Sequence, residues 1–172
     1  MRYELTPGQE AQAPLHIAQT NLNTAGSLVL FVHPKCPCTR ATIAELARIL
    51  RTTKNKLCTT IYFYCPSREP NTWCTDSNLW NESKLLPGVT TKIDWDGKSA
   101  RSFGAHCSGQ ILLYRSSDGK LMFSGGITSG RGHEGDSAGQ DAIIEFVNTG
   151  KSSISSTQVF GCSIGDEWTA PT

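Results

Sequence analysis

The sequence lacks long apolar runs and carries almost no net charge. No window approaches the ~18 consecutive apolar residues of a transmembrane helix, and residues 1–26 lack the apolar core of a signal peptide. The formal net charge is +1, and the lysines and arginines are scattered along the chain. These absences argue against a transmembrane helix in this chain and against a polybasic membrane patch. They also indicate that nucleic acid is not a partner.

Several metal and phosphate motifs are missing as well. The cysteine spacing matches no zinc ribbon. The glycine-rich stretch 125–135 is not followed by Gly-Lys-Ser/Thr, so it is not a Walker A loop. We interpret it as a tightly shaped loop whose glycines adopt positive φ. The alternative is a polar rim in which Arg131, His133 and Glu134 border a functional pocket.

Cysteine, in contrast, is abundant. The odd count means that at least one thiol is free, or paired between chains, if the others are oxidised. Such abundance weakly favours an oxidising compartment, and we expect a periplasmic or otherwise extracytoplasmic location. The seven cysteines are Cys36, Cys38, Cys58, Cys65, Cys74, Cys107 and Cys162.

The pattern of apolar residues predicts one α/β domain. The uncharged run 27–32 predicts a strand, the 3.6-residue periodicity of 39–50 predicts a helix, and the apolar stretch 56–65 predicts a central strand. Further predicted elements are a helix at 76–86, an extended segment at 89–93, a short helix at 98–103, a hairpin of strands 110–115 and 120–124, and a helix at 137–150. This order predicts a thioredoxin-like fold, with a central mixed sheet flanked by helices and an insert between the second and third core strands.

The domain organisation follows from the same pattern. Residues 1–26 are polar with prolines and glycines, which predicts an extended lead-in. Residues 27–150 form the predicted thioredoxin-like domain. The Ser/Thr-rich tail 151–172 has one apolar anchor around Phe160 and Cys162, so we expect it to pack on the domain. A disulfide with another cysteine is one role that we consider for Cys162.

Cys36 and Cys38 flank Pro37 where the first predicted strand meets the first predicted helix. Helix N-terminal amides stabilise negative charge and therefore favour the thiolate, which is both nucleophile and metal ligand. The carboxyl ends of strands are also where open α/β sheets place their sites. Cys38 is nearer the helix amides, so its thiolate should be the better stabilised, whereas Cys36 is nearer an incoming substrate. Which cysteine attacks stays open at this point.

The string 33–46 (HPKCPCTRATIAEL) resembles the opening of the RedB family of thioredoxin-like bacterial proteins. The resemblance spans roughly residues 27 to 164. It implies a thioredoxin fold and a domain outside the cytoplasm, tethered to the membrane by a segment that we expect to be absent from this chain. The other similar stretches are 86–90 (LPGVT), 103–105 (FGA), 123–128 (FSGGIT), 131–136 (RGHEGD) and 160–162 (FGC).

The stretch 101–105 and the following hairpin are also similar to periplasmic thiol-disulfide oxidoreductases. Two departures matter. Those enzymes carry CxxC, whereas this chain carries CxC. They also have a cis-proline before the third core strand, which presents backbone to the substrate and keeps metals off the dithiol. Here the stretch 106–109 (HCSG) has no proline, which weakens the case for generic disulfide exchange and leaves room for a metal.

Three functions follow as hypotheses. The leading one is a thiol-disulfide oxidoreductase in which Cys36 and Cys38 are catalytic, no cofactor is needed, and the partners are protein thiols, protein disulfides or a redox protein. The alternative is a soft-metal module that binds or delivers copper through Cys36, Cys38 and either Cys107 or His106. A peroxiredoxin-like peroxide reductase is the third, suggested by Cys38-Thr39 at the helix start, although the fuller peroxidase pattern is missing.

Other residues are predicted to lie near this dithiol. Cys107 is a third sulfur or a resolving thiol, with a small buried hydrophobe as the alternative. His33 and His106 flank the same corner and can supply imidazole, although each alone would be structural. Cys58, Cys65 and Cys74 are explained by core packing or by one local disulfide. The secondary site candidates are thus His33, Thr39, His106, Cys107, Arg131 and His133.

Overall fold

The computed structural model describes residues 3–7 and 24–165. Within these residues the strands are β1 (Tyr3–Pro7), β2 (Gly26–Val32), β3 (Leu57–Cys65), β4 (Val89–Trp95), β5 (Gln110–Arg115), β6 (Leu121–Gly125) and β7 (Gln158–Cys162). The helices are α1 (Thr39–Thr52), α2 (Thr72–Thr75), α3 (Asn78–Lys84), α4 (Lys98–Ser102) and α5 (Ala138–Thr149). No helix in the described part of the chain is long and apolar enough to cross a membrane.

Five strands form one mixed sheet in the order β4-β3-β2-β5-β6. The pairs β2–β3 and β3–β4 are parallel, whereas β2–β5 and β5–β6 are antiparallel. Between β3 and β5 the chain adds α2, α3, β4 and α4. The predicted fold class is therefore confirmed, including the insert between the second and third core strands.

The central position of β2 follows from its composition. Every residue of its apolar run is buried, which requires cover on both faces of the sheet. Leu28, Leu30 and Val32 point into the larger core cluster, which includes apolar residues of α1 and α5. Val29 and Phe31 point into the opposite cluster. Burial on both faces places β2 in the centre of the sheet, and the cysteines follow its carboxyl end.

Two predicted elements differ most from the structure. The helix predicted over 76–86 is shorter: α3 begins after Ser77, whose hydroxyl accepts a hydrogen bond from the Trp80 N–H at 3.2 Å, and a separate helix, α2, ends before it at Thr75. Ser77 is extended, which breaks the helix, and its side chain caps the next one. The segment predicted over 89–93 is a longer strand that ends at Trp95.

A second, two-stranded sheet joins the two ends of the chain. β1 pairs antiparallel with β7, with Tyr3 opposite Cys162 and Pro7 opposite Gln158. The predicted lead-in thus contains a strand at 3–7, while residues 8–23 and 166–172 lie outside the described residues. The division into lead-in, domain and tail stays a prediction.

Candidate thiol site

The CxC motif lies in two successive turns at the carboxyl end of β2. The Cys36 N–H donates to the His33 carbonyl at 3.0 Å, and the Thr39 N–H donates to the Cys36 carbonyl at 3.2 Å. Cys38 has helical φ and ψ and is the residue that precedes α1. Both cysteines are therefore held at the start of a helix by backbone hydrogen bonds.

A third cysteine, Cys162 at the end of β7, packs against this pair. Cys36, Cys38 and Cys162 form a contact cluster in which they are 1%, 8% and 2% exposed. All three are thiols in the structure. We name them the thiol cluster. The Phe160-Gly161-Cys162 pattern predicted an anchored tail, with Cys162 pairing with another cysteine as one alternative, but it did not identify Cys36 as the neighbour.

Cys162 reaches the cluster because β7 lies along the segment that precedes β5. The Ser108 N–H donates to the Cys162 carbonyl at 2.8 Å, and the Ile164 N–H donates to the His106 carbonyl at 2.8 Å. A Cβ atom on Gly161 would lie 1.8 Å from the Ser108 carbonyl oxygen. Only glycine permits this approach, so the glycine before Cys162 fixes the position of the third thiol.

The environment of Cys36 favours its thiolate. Its pKa is lowered to about 5, first by a hydrogen bond from the Cys162 thiol. The Thr39 hydroxyl and the backbone N–H groups of Cys162 and Cys38 lower it further, while burial opposes them. Because these donors stabilise the charged form, Cys36 is ionised at neutral pH.

The other two thiols of the cluster are shifted in the opposite direction. Burial raises the pKa of Cys38, and the neighbouring Cys36 charge raises it further, with Arg131 opposing. The pKa of Cys162 is also raised, first because its thiol donates to Cys36 and then by burial. The expectation that Cys38 carries the better stabilised thiolate is therefore wrong. The donors of the helix start and of β7 converge on the Cys36 sulfur instead.

Two hydroxyl groups form a hydrogen-bond chain that ends at the Cys36 sulfur. The Ser108 hydroxyl accepts from the His33 N–H at 2.8 Å and lies 2.7 Å from the Thr39 hydroxyl. Because Thr39 donates to Cys36, Ser108 is the donor to Thr39 in this arrangement. Ser108, in the stretch that has no proline, is thus a site residue that the sequence did not single out.

His33 is a buried residue of the turn and is neutral at neutral pH. Its Nδ1 accepts from the Lys35 N–H at 3.2 Å, and its ring stacks on Tyr64 at 5.5 Å between centroids. Burial, and then the positive charge of Lys35, lower its pKa to about 4. The Nδ1 of the neutral imidazole therefore orders the turn as a hydrogen-bond acceptor, and the ring is not in the acidic imidazolium form near pH 7.

The remaining candidates lie around the cluster without joining it. Cys107 is fully buried and is near enough to contribute to the raised pKa of Cys162. His106 is exposed, and its backbone N–H donates to the Gln110 side-chain oxygen at 3.0 Å. His133 is exposed in the glycine-rich loop. Across residues 24–165, no group of three or more His, Cys, Asp or Glu side chains is arranged to hold a metal ion.

The glycine-rich loop is fixed at its end by hydrogen bonds, and its role as a polar rim stays a prediction. Glu45 on α1 is buried and accepts from the Gly135 N–H at 2.7 Å and from the Gln140 amide, which fixes the end of the loop. Arg48 pairs with the same carboxylate at 3.1 Å. The loop is therefore anchored by hydrogen bonds to Glu45. It carries Arg131, whose positive charge lowers the pKa of Cys38.

A surface cavity opens beside the cluster. Its volume is about 600 Å³, and Cys36 is one of its lining residues. Lys35 and Trp73 form part of the wall, with the lysine Nζ 4.3 Å from the indole ring centroid. The rest of the lining is Pro34, Pro37, Arg40, Asp76, Ser77, Asn78 and Leu79. A ligand in this cavity would approach Cys36 rather than Cys162.

The sheet order, the flanking helices and the dithiol at the end of β2 define a thioredoxin-like fold. It is similar to a hypothetical protein from Sinorhizobium meliloti 1021, with a TM-score of 0.64 at 20% identity, covering 91% of this chain and 84% of that one. An uncharacterized conserved protein from Geobacillus kaustophilus gives a TM-score of 0.65 at 16% identity, covering 98% and 93%.

A redox protein is also among the similar structures. MTB DsbF, whose structure shows its mixed oxidized and reduced forms, gives a TM-score of 0.51 at 13% identity and covers 74% of this chain and 81% of that chain. No protein-family model matches the chain, and no curated protein matches it. The comparisons thus show the thioredoxin-like fold.

Proposed function

We propose that this protein is a thiol-disulfide oxidoreductase that uses Cys36 as its nucleophile and Cys38 as its partner thiol. The observation that carries the proposal is the lowered pKa of Cys36, produced by donors from two parts of the fold beside a second thiol. The thiolate is the reactive form in disulfide exchange. The substrates are protein disulfides, protein thiols or a redox partner protein, and the chemistry requires no cofactor.

The reaction begins when the Cys36 thiolate attacks one sulfur of a substrate disulfide. A Cys36–substrate disulfide forms, and the second substrate sulfur leaves as a thiolate. Cys38 then loses its proton to that leaving thiolate and attacks the Cys36 sulfur, which releases the reduced substrate. Two electrons pass to the substrate, and the dithiol becomes a disulfide.

The charge on Cys36 determines that Cys36 attacks first and Cys38 second. The Cys36 charge is one cause of the raised pKa of Cys38. Once Cys36 is bound in the mixed disulfide, this charge is gone, so Cys38 ionises more easily when its attack is needed. Arg131 lowers the pKa of Cys38 throughout. A disulfide between residues two apart closes a small strained ring, which favours the reverse direction, in which the Cys36–Cys38 disulfide oxidises protein thiols.

The proposed location is outside the cytoplasm. Seven cysteines in 172 residues suit an oxidising compartment, and the resemblance to the RedB family points to the same side of the membrane. The 600 Å³ cavity beside Cys36 is the proposed approach for a substrate segment, with Lys35 and Trp73 at its wall.

The test compares Cys36→Ser with Cys65→Ser. Both cysteines are fully buried near the carboxyl end of a central strand, but only Cys36 receives the thiolate donors. We expect Cys36→Ser to reduce catalysed reduction of a protein disulfide to the uncatalysed background, with dithiothreitol as electron source. Cys65→Ser should stay near wild type. Unchanged exchange in Cys36→Ser would contradict the proposal.

The same preparations separate the two other hypotheses. Copper retained in a one-to-one ratio through purification and lost in Cys36→Ser would favour a copper module, because thiolates are the ligands that Cu(I) prefers. Peroxide consumption that exceeds disulfide exchange would favour a peroxide reductase. Exchange without either property is the expected result.

A further inference from the structure

Cys36 has two thiol neighbours, and they come from different parts of the chain. Cys38 is two residues away in the same turn. Cys162 arrives on β7, and its thiol donates a hydrogen bond to the Cys36 sulfur. Cys36 and Cys162 belong to one buried contact cluster, in which Cys36 is 1% and Cys162 is 2% exposed. In the proposed reaction Cys162 stabilises the Cys36 thiolate, but its own sulfur forms no bond.

The backbone around Cys162 is built to hold that sulfur in place. Its carbonyl accepts from Ser108, and the next residue, Ser163, forms an antiparallel bridge with Cys107. On its other edge β7 pairs with β1. The strand is thus held from two sides, and Gly161 allows its close approach to Ser108. The backbone therefore holds the Cys162 side chain in a fixed position beside Cys36.

We propose that Cys162 is a third redox-active residue, which resolves the mixed disulfide on Cys36 by forming a Cys36–Cys162 disulfide. The inference rests on the proposed function, because Cys36 must first react with a substrate disulfide. It adds a second product of that reaction, in which the C-terminal strand is covalently joined to the dithiol turn.

The steps balance in atoms and electrons. The Cys36 thiolate attacks the substrate disulfide, and one substrate sulfur leaves as a thiolate. Cys162 gives its proton to that thiolate, attacks the Cys36 sulfur and displaces the second substrate sulfur. The substrate disulfide gains two electrons, and Cys36 and Cys162 lose them. The two disulfides can then exchange: Cys38 gives its proton to Cys162 and attacks the Cys36 sulfur to form Cys36–Cys38, and the reverse attack by Cys162 restores Cys36–Cys162, without further oxidation.

The two possible disulfides differ in strain. Cys36–Cys38 closes a short ring within one turn, whereas Cys36–Cys162 joins two segments that hydrogen bonds already hold together. Strained disulfides are the more easily reduced ones. We therefore expect Cys36–Cys162 to require a more reducing glutathione ratio for its reduction than Cys36–Cys38.

The test uses the full chain with Cys38→Ser, treated with glutathione disulfide and mapped by mass spectrometry. Serine is a favourable residue at a helix N-cap, so this variant should retain α1. We expect most of the protein to contain the Cys36–Cys162 disulfide. In Cys38→Ser/Cys162→Ser, Cys36 should instead accumulate as a glutathione adduct. The matched control, Cys38→Ser/Cys74→Ser, should still form Cys36–Cys162.

Three results would overturn the inference. A glutathione adduct on Cys36 in Cys38→Ser, as stable as in the double variant, would show that Cys162 does not resolve it. A Cys107–Cys162 disulfide in its place would assign the third thiol to another partner. In the first case Cys36 has reacted, so the proposed function survives; in the second it survives when Cys36 also carries a glutathione adduct. An unmodified Cys36 in every variant would overturn the proposed function and the inference together.

Discussion

Two buried groups of cysteines lie side by side in this molecule, at the ends of adjacent parallel strands. The thiol cluster follows β2. The second group consists of Cys65, the last residue of β3, and Cys74 in α2, and both are fully buried. In the thiol cluster the pKa of Cys36 is lowered to about 5, whereas burial raises the pKa of Cys74 to about 12. Burial also raises the pKa of Cys65.

The difference lies in the donors that surround each sulfur. Cys36 accepts from a thiol, a hydroxyl and two backbone N–H groups. Among the described residues, Cys65 accepts from the Cys74 thiol and the Cys74 backbone N–H alone, and it donates its own proton toward the Pro70 carbonyl, with 3.8 Å between sulfur and oxygen. A carbonyl stabilises the protonated form, and N–H and O–H donors stabilise the charged form. Burial therefore leaves a thiol inert at one place and, with enough donors, supports a thiolate at the other.

The largest expected difference between the two groups is their ionisation. At neutral pH the fraction of thiolate at Cys36 should exceed that at Cys74 by on the order of 10⁵, given pKa values of about 5 and about 12. Because the pKa of Cys36 is lowered, its thiolate appears as the pH rises through about 5 and persists above it. The ultraviolet absorbance of thiolate measures this step.

Variants assign the absorbance step to one group. It should remain in Cys65→Ser/Cys74→Ser and disappear in Cys36→Ser. A first step near the ordinary cysteine pKa in all three proteins would mean that the thiol cluster behaves like the second group, and the comparison would fail.

The sequence was sufficient for the parts of this arrangement that are local. Apolar runs and helical periodicity predicted the strands, and the position of Cys36 and Cys38 at the end of the first core strand follows from them. The place of Cys162 could not be predicted, because it depends on a contact between Gly161 and Ser108 that are far apart in sequence. The pKa order of Cys36 and Cys38 was missed for the same reason, since part of the stabilisation comes from β7.

An intermediate effect is expected when β7 is displaced, because this strand contributes a thiol to the thiol cluster but not to the second group. In Gly161→Val a side chain would collide with the Ser108 carbonyl. We expect a loss of about 1–3 kcal/mol in the free energy of unfolding, the cost of overpacking. The pKa of Cys36 should rise, because Cys162 supplies its largest stabilising contact. Urea denaturation and the thiolate absorbance measure the two effects.

Gly132→Ala is the control for that experiment. Gly132 has a φ of +63° and nothing within 4 Å of an added Cβ, so alanine adds backbone strain without a collision. Its destabilisation should leave the pKa of Cys36 unchanged. If Gly161→Val also left that pKa unchanged, β7 would have no influence on the thiolate, and the contrast between the groups would depend on the helix start alone.

The smallest expected effect comes from a single hydroxyl. Thr39→Val keeps the shape of the side chain but removes its O–H donor to Cys36. A hydrogen bond to a charged group contributes about 1.5–3 kcal/mol, so the pKa of Cys36 should rise by on the order of one unit. Disulfide exchange by this variant should then be slower at pH values near 5, the pKa of Cys36 in the wild-type protein, because less thiolate is present there. At higher pH the rate should change little. Thr42→Val makes the same change at another buried threonine of α1 and should leave the pH profile of wild type. Equal profiles for both variants would remove Thr39 from the set of donors and attribute the thiolate to β7 and the backbone.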